Sequence, residues 1–202
     1  VDAVADSDAF GYDPPFACSG IEISPLMMPL SKRVYTFPEV SRKTFHGLPG
    51  LLAEAGYRTH SVGKLHLKTW GRPGGLDVTE VETPEQNPER RIFWNEGMIT
   101  KSPDNYYGFQ TQDSAHGHVN YINGDYKTWL DENHPGAFDG YACKSSEPGP
   151  LEIEPDLHYN NWIADRSIDF IGARSGKDQP FFLWCSFPDP HEPFAAVRKW
   201  SD

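Results

Sequence analysis

Lys64 and His66 stand two residues apart in the stretch Gly56-Tyr57-Arg58-Thr59-His60-Ser61-Val62-Gly63-Lys64-Leu65-His66-Leu67, directly after a strand-like run. A cation and a titratable imidazole at i and i+2 are equipped to grip an anion and move a proton. A sulfate or phosphate ester needs fixed cationic donors on its non-bridging oxygens, where charge persists through the transition state. Gly63 lets the backbone approach closely and Lys64 supplies the charge. His66 either binds the same group or exchanges a proton, because an imidazole titrates near neutral pH and its tautomer follows its other partner. On spacing alone a solvated loop lysine and a satisfied loop histidine are the commoner reading, so the chemistry needs a second element. Pro188-Asp189-Pro190-His191-Glu192-Pro193 offers one, since each proline fixes φ and biases the residue before it toward extended backbone. A histidine held in this way is suited to donate a hydrogen bond to a leaving-group oxygen. The same run also reads as a structural stop at a strand exit.

The other histidines and the cysteines carry less. His116-Gly117-His118 has a metal-like spacing but no third ligand at helical or strand spacing, and a surface turn is expected there. His46, His60, His134 and His158 show no arrangement that points to chemistry. Cys18, Cys143 and Cys185 are odd in number and scattered, which indicates neither a disulfide framework nor a zinc site and leaves the compartment open.

These groups must be positioned by a core, and 38% hydrophobic with 13% aromatic residues is enough to build one. A net charge of -11 argues against a nucleic-acid or anionic-membrane surface, while leaving room for a small anionic ester held by local positive charge. No run of eighteen or more apolar residues suggests a membrane span. Val1-Asp2-Ala3-Val4 has neither an initiator Met nor a leader pattern, which is read as a start that lies elsewhere.

Residues 1–46 give no sustained period; Pro14-Pro15 and an apolar Ile21 to Leu30 patch interrupted by Pro25 and Pro29 are their main features, and they are left unassigned. Leu48, Leu51, Leu52 and Ala55 fall at helical spacing, with Gly56 placed to end the helix. Tyr57 to Val62 reads as a strand. Gly71 to Arg91 reads as a long surface excursion, Tyr106-Tyr107-Gly108-Phe109 as a return of buried aromatics, and Asn133 to Asp156 as a second loop. Ile163, Ser167, Phe170 and Ile171, with Ala164 and Ile168 beside them, form a helical face ending near Gly172. The continuous apolarity of Phe181 to Phe187 predicts a strand buried on both faces. Helix, strand, excursion, helix and buried strand imply an α/β sheet, mixed but mostly parallel, with helical crossovers. Lys64, His66, Asp189 and His191 then lie beyond carboxyl strand ends, where functional groups collect in such sheets.

The stretch from Gly56 to Leu67 resembles the sulfatase signature G-Y-x-T-x-x-x-G-K-x-H, and Phe181 to Phe194 resembles a second segment of that family in the right order. Leu48 to Leu67 and Trp162 to Phe194 carry the similarity, with Tyr106 to Phe109 and Gly124 to Leu130 matching more loosely. The resemblance implies a partial alkaline-phosphatase-like α/β sandwich over residues 47–202. It implies hydrolysis of sulfate esters by a formylglycine nucleophile made from Cys or Ser, with a bound divalent cation, Ca or Mg. Lys64 and His66 match the pair that contacts the sulfate, and His191 matches the histidine on the leaving-group side. Two further readings stand beside it: a phosphonate monoester or phosphodiester hydrolase of the same superfamily, and a non-catalytic relative that binds an anion or a partner.

The departures are equally specific. The nucleophile motif is Cys or Ser, any residue, Pro, any residue, Arg, yet Cys18 is followed by Ser19-Gly20-Ile21-Glu22 and Ser146-Glu147-Pro148-Gly149-Pro150 lacks the Arg. The adjacent Asp pair that supplies metal ligands is missing, and Asp104-Asn105-Tyr106 is the nearest approach to the downstream Asp-Asn/His-Gly group. The chain is therefore read as an internal piece of a sulfatase, inactive without nucleophile and metal ligands.

Overall fold

The computed structural model describes residues 47–68, 83–142 and 149–201. The readings made for residues 1–46, including Cys18, and for Cys143 and Ser146 lie outside these residues. Strands β1 (Arg58–Gly63), β2 (Thr111–Ser114) and β3 (Phe181–Ser186) form one sheet in the order β2-β1-β3, and both pairings are parallel. Helices α1 (Leu48–Glu54), α2 (Arg91–Asn95), α3 (Asp125–Asn133) and α4 (Tyr159–Arg174) connect and flank it. The α/β class and its parallel sheet are as expected.

Proline in the first turn opens α1. Its end is closed by two bonds, Gly56 N–H to the Ala53 carbonyl (3.0 Å) and Tyr57 N–H to the Leu52 carbonyl (2.9 Å), with Gly56 at φ +91°. This is the Schellman arrangement that the apolar spacing and the glycine predict. The chain then enters β1, which is buried from Thr59 to Gly63 despite its polar residues. Buried polar groups need partners, and β2 supplies them. The His60 ring bonds Thr111 Oγ1 through Nδ1 (2.9 Å), sets Nε2 3.2 Å from the Asp113 carboxylate, and stacks on Phe170 of α4 at 4.5 Å.

The core sits on the α3–α4 side of the sheet, where Val62, Ile122, Tyr126, Leu130, Tyr141, Tyr159, Trp162 and Ile163 are buried together. Its phenols form a chain. Tyr141 donates to Tyr126 (2.7 Å), Tyr126 donates to the Leu157 carbonyl (2.7 Å), and Tyr141 accepts from the Tyr159 N–H (3.0 Å), so the start of α4 is tied to α3 through the core.

Three expectations are corrected. Strand β3 is not buried on both faces: Phe181 and Trp184, which alternate to opposite sides, remain 39% and 48% exposed. Apolar composition records that a strand seeks burial but not which neighbour provides it. On α4, Tyr159, Trp162, Ile163 and Ser167 are the buried positions, whereas Ile168 and Ile171 face outward. The stretch from Asn133 to Asp156 contains a 3-10 turn over Ala137–Tyr141 and a parallel bridge between Leu151 and Val197, with Tyr141, Leu151 and Ile153 buried.

Candidate functional site

Gly63 of β1 pairs with Ser114 of β2 and with Ser186 of β3, so the three strands finish in one row. Their exits, Lys64 to His66, Ala115 to His118 and Phe187 to His191, leave the sheet at the same carboxyl edge. Two backbone bonds stitch the row, Lys64 N–H to the Ser186 carbonyl (2.9 Å) and Ala115 N–H to the Gly63 carbonyl (3.0 Å). Gly63 makes this possible: at φ +94° a Cβ would lie 2.0 Å from the Ser186 carbonyl oxygen. Only a residue without that atom lets the two exits close.

Behind Lys64, buried Glu89 accepts from the Leu67 N–H with both carboxylate oxygens (3.1 Å each), from the Lys68 N–H (3.3 Å) and from the Tyr106 hydroxyl (2.9 Å). The loop that carries Lys64 and His66 is thus pinned by a carboxylate. Residues 87–90 of the expected surface excursion are buried instead, and the rest of that excursion lies mostly outside the described residues. In front, Asp189 is gripped by the start of α4, accepting from the Tyr159 hydroxyl and from Asn160 Nδ2, each at 2.7 Å. Burial lowers the Lys64 pKa, and the negative charges of Asp189 and Glu89 oppose that loss. His66 lies below the usual imidazole range through desolvation, then through the charges of Lys64 and His191. It is therefore neutral near pH 7, when it both donates and accepts.

His116-Gly117-His118 is not a surface turn. His116 is fully buried, its pKa pushed from 6.5 to about 4 by desolvation, with the Leu65 backbone opposing the fall and His66 and Lys64 adding to it. Neither ring nitrogen of His116 reaches hydrogen-bond geometry. His118 is half-buried and also falls to about 4, through desolvation and then the charges of His191 and Lys64. Its ring stacks on that of His191, with centroids 4.0 Å apart and planes 15° from parallel. His66, His116 and His118 thus all feel the charge of Lys64 at the sheet edge, and His66 and His118 also feel that of His191. His158 is buried and caps α4, its Nδ1 accepting from the Asn160 N–H (3.2 Å). His60 ties the sheet together, and His134 ends α3.

A cavity of about 470 Å³ opens beside Lys64 and His66, walled mainly by Leu48, Leu65, Tyr107, Phe109, Phe182 and Trp184. A second, more polar hollow of about 370 Å³ has His158, Asn160, Asp189 and Lys199 in its wall. His191 lines neither. Among the described residues no group of three or more His, Cys, Asp or Glu side chains is arranged to hold a metal ion. An ammonium group among these histidines suits an anion better than a cation, and the described residues offer no ligand set for the Ca or Mg implied by the resemblance. No described helix is long and apolar enough to cross a membrane.

The family profile described as Sulfatase matches residues 27–202. The chain belongs to the sulfatase family. That membership brings the alkaline-phosphatase-like α/β fold, of which the parallel sheet and flanking helices are part. This sulfatase chain is 27% identical over 154 residues to an arylsulfatase of Clostridium perfringens, covering 74% of the chain and 28% of that protein. It is 27% identical over 157 residues to a sulfatase of Formosa agariphila, covering 77% and 24%. An uncharacterized sulfatase of Schizosaccharomyces pombe is 25% identical over 153 residues, covering 76% and 22%. The chain spans about a quarter of the length of these curated relatives.

Proposed function

We propose that residues 47–202 are part of a sulfatase catalytic domain, and that Lys64, His66 and His191 bind the sulfuryl group and leaving oxygen of a sulfate ester. The observation that carries this reading is the alignment of Gly63, Ser114 and Ser186, which directs the matching motifs to one sheet edge. Lys64 sets its ammonium on a non-bridging oxygen, and Asp189 and Glu89 favour its charged form. His66, neutral near pH 7, donates to a second oxygen. His191, exposed on the far side, donates to the bridging oxygen as the bond to sulfur breaks, which matters most when the leaving alkoxide is basic. Cys185 is not a nucleophile for this site: it lies on β3, outside the motif, and accepts from Ser167 Oγ at 3.1 Å on α4. These residues hold the ester, and the covalent step needs a Cys- or Ser-derived nucleophile supplied from outside this set. The chain alone is accordingly predicted to show no sulfatase turnover.

The test is steady-state kinetics on an enzyme that includes this span together with the nucleophile, using an activated aryl sulfate, an unactivated alkyl sulfate and a phosphate diester. Lys64→Ala should lower kcat/KM about 10²-fold or more on both sulfates. His191→Ala should act chiefly on the alkyl sulfate. Wild-type rates for both folded variants would overturn the assignment, and a preference for the diester would move the substrate to phosphorus.

A further inference from the structure

The loop from His116 to Asn123 is built with more constraint than a connection requires. His116 and Asn123 form an antiparallel bridge with bonds of 3.0 and 2.8 Å. Gly117 has φ +86°, and a Cβ there would lie 2.3 Å from the Tyr121 carbonyl oxygen. Val119, a β-branched residue, is fully buried at φ +48°. Such strain persists only where the surroundings over-determine the backbone, and it marks places where a side chain is being aimed. The Tyr121 N–H closes the turn onto the His118 carbonyl at 2.9 Å, and the Arg91 guanidinium lies 5.0 Å over the Tyr121 ring. The residue aimed is His118.

We propose that His118 is a positioning residue for His191, its imidazole forming a fixed plate against which the His191 ring is held over the Lys64 edge. The inference rests on the reading of His191 as the leaving-group histidine. His191 is exposed, and its own segment restrains it through the bond between Nδ1 and the Glu192 carbonyl (2.7 Å). Its ring contact among the described residues is His118, nearly parallel at 4.0 Å. Across that contact two imidazolium rings repel, so one partner stays neutral. His118 is that partner: it is desolvated, and its Nδ1 is buried without a hydrogen-bond partner. The charged and titratable groups by the pair are Lys64, whose charge acts on His118, His66, on which the charge of His191 acts, and Asp189 and Glu192 on the segment of His191 itself. The plate therefore fixes the plane of the exposed ring that meets the ester, without setting a second charge beside it.

Histidine-selective NMR on the 202-residue chain tests this. The His191 ring protons should carry a ring-current shift in the wild type, lose it in His118→Ala, and keep one in His118→Phe, which retains the plate without the nitrogens. His191→Ala should raise the His118 titration midpoint from about 4 part of the way toward 6.5, since it removes one of the charges that depress it. An unshifted His191 in the wild type, the same His191 spectrum in His118→Ala, or an unmoved His118 midpoint in His191→Ala would each overturn the proposal. Where His118→Ala does not fold, the Phe variant and the His191→Ala titration still decide. Inorganic sulfate binding by Lys64→Ala separates the two readings: its loss supports the anion site whatever the stack does, and its persistence refutes that site while the stack is judged on its own signals.

Discussion

Replacing Gly63 with alanine should destabilise the protein by roughly 2–4 kcal/mol and disorder the Lys64 edge. An L-residue held at φ +94° carries strain of order 1–3 kcal/mol. The new Cβ would also sit 2.0 Å from the Ser186 carbonyl oxygen, a backbone atom that cannot rotate away. The exits of β1 and β3 must therefore part, which breaks the Lys64 N–H bond to that carbonyl at a further cost of about 0.5–1.5 kcal/mol. Gly56 provides the control, because it has nearly the same φ, +91°, but nothing within 4 Å of its Cβ position. Urea unfolding followed by circular dichroism measures both. With a slope of about 2 kcal/mol per molar, Gly63→Ala should lower the midpoint by roughly 1–2 M. The midpoint loss should clearly exceed that of Gly56→Ala. Equal losses for the two variants would mean that the close approach of the exits contributes nothing, and the reasoning that places Lys64 through Gly63 would be wrong.

Acid should unfold the protein partly through His116. Its folded pKa is depressed, so its contribution is complete above pH 6.5 and is lost as pH falls toward about 4, a span worth roughly 3 kcal/mol. His116→Phe, which removes the titrating group, should flatten that limb whatever it costs in packing at pH 7; an unaltered limb would contradict the buried neutral ring. Glu89→Gln should cost about 2–3 kcal/mol in the same urea assay, because a carboxylate that accepts from two backbone amides and a phenol becomes an amide with one acceptor oxygen. A loss under about 0.5 kcal/mol would show that the loop is held by other means.

The sequence made visible those features that depend on near neighbours. The helix before Gly56, the strand leading to Gly63 and the apolar strand after Pro180 all declare themselves within a few residues, and two strands separated by helical crossovers imply parallel pairing. The features that escaped depend on distant partners. Strand β2 is four residues long and polar, Thr111–Ser114, and becomes a strand only because β1 accepts it. The importance of His116 and His118 follows from the register of that pairing, which no local pattern encodes. Glu89 sits in a stretch whose composition reads as loop, and its donors lie 21 and 22 residues upstream and 17 residues downstream. The open face of β3 was hidden for the same reason, since apolarity does not name the neighbour that covers it.

The central claim is that three strand exits create one anion site, and a sulfate titration followed by NMR tests it most directly. Sulfate added to the chain should saturably shift the signals of Lys64, His66 and His191 together. Binding should tighten as pH falls from 7 toward 5, because protonation of His66, disfavoured in the empty site by burial and by Lys64, is favoured by the anion. Lys64→Ala should abolish the response at all three positions. Shifts that never saturate, that involve His191 without Lys64, or that survive Lys64→Ala would contradict the account.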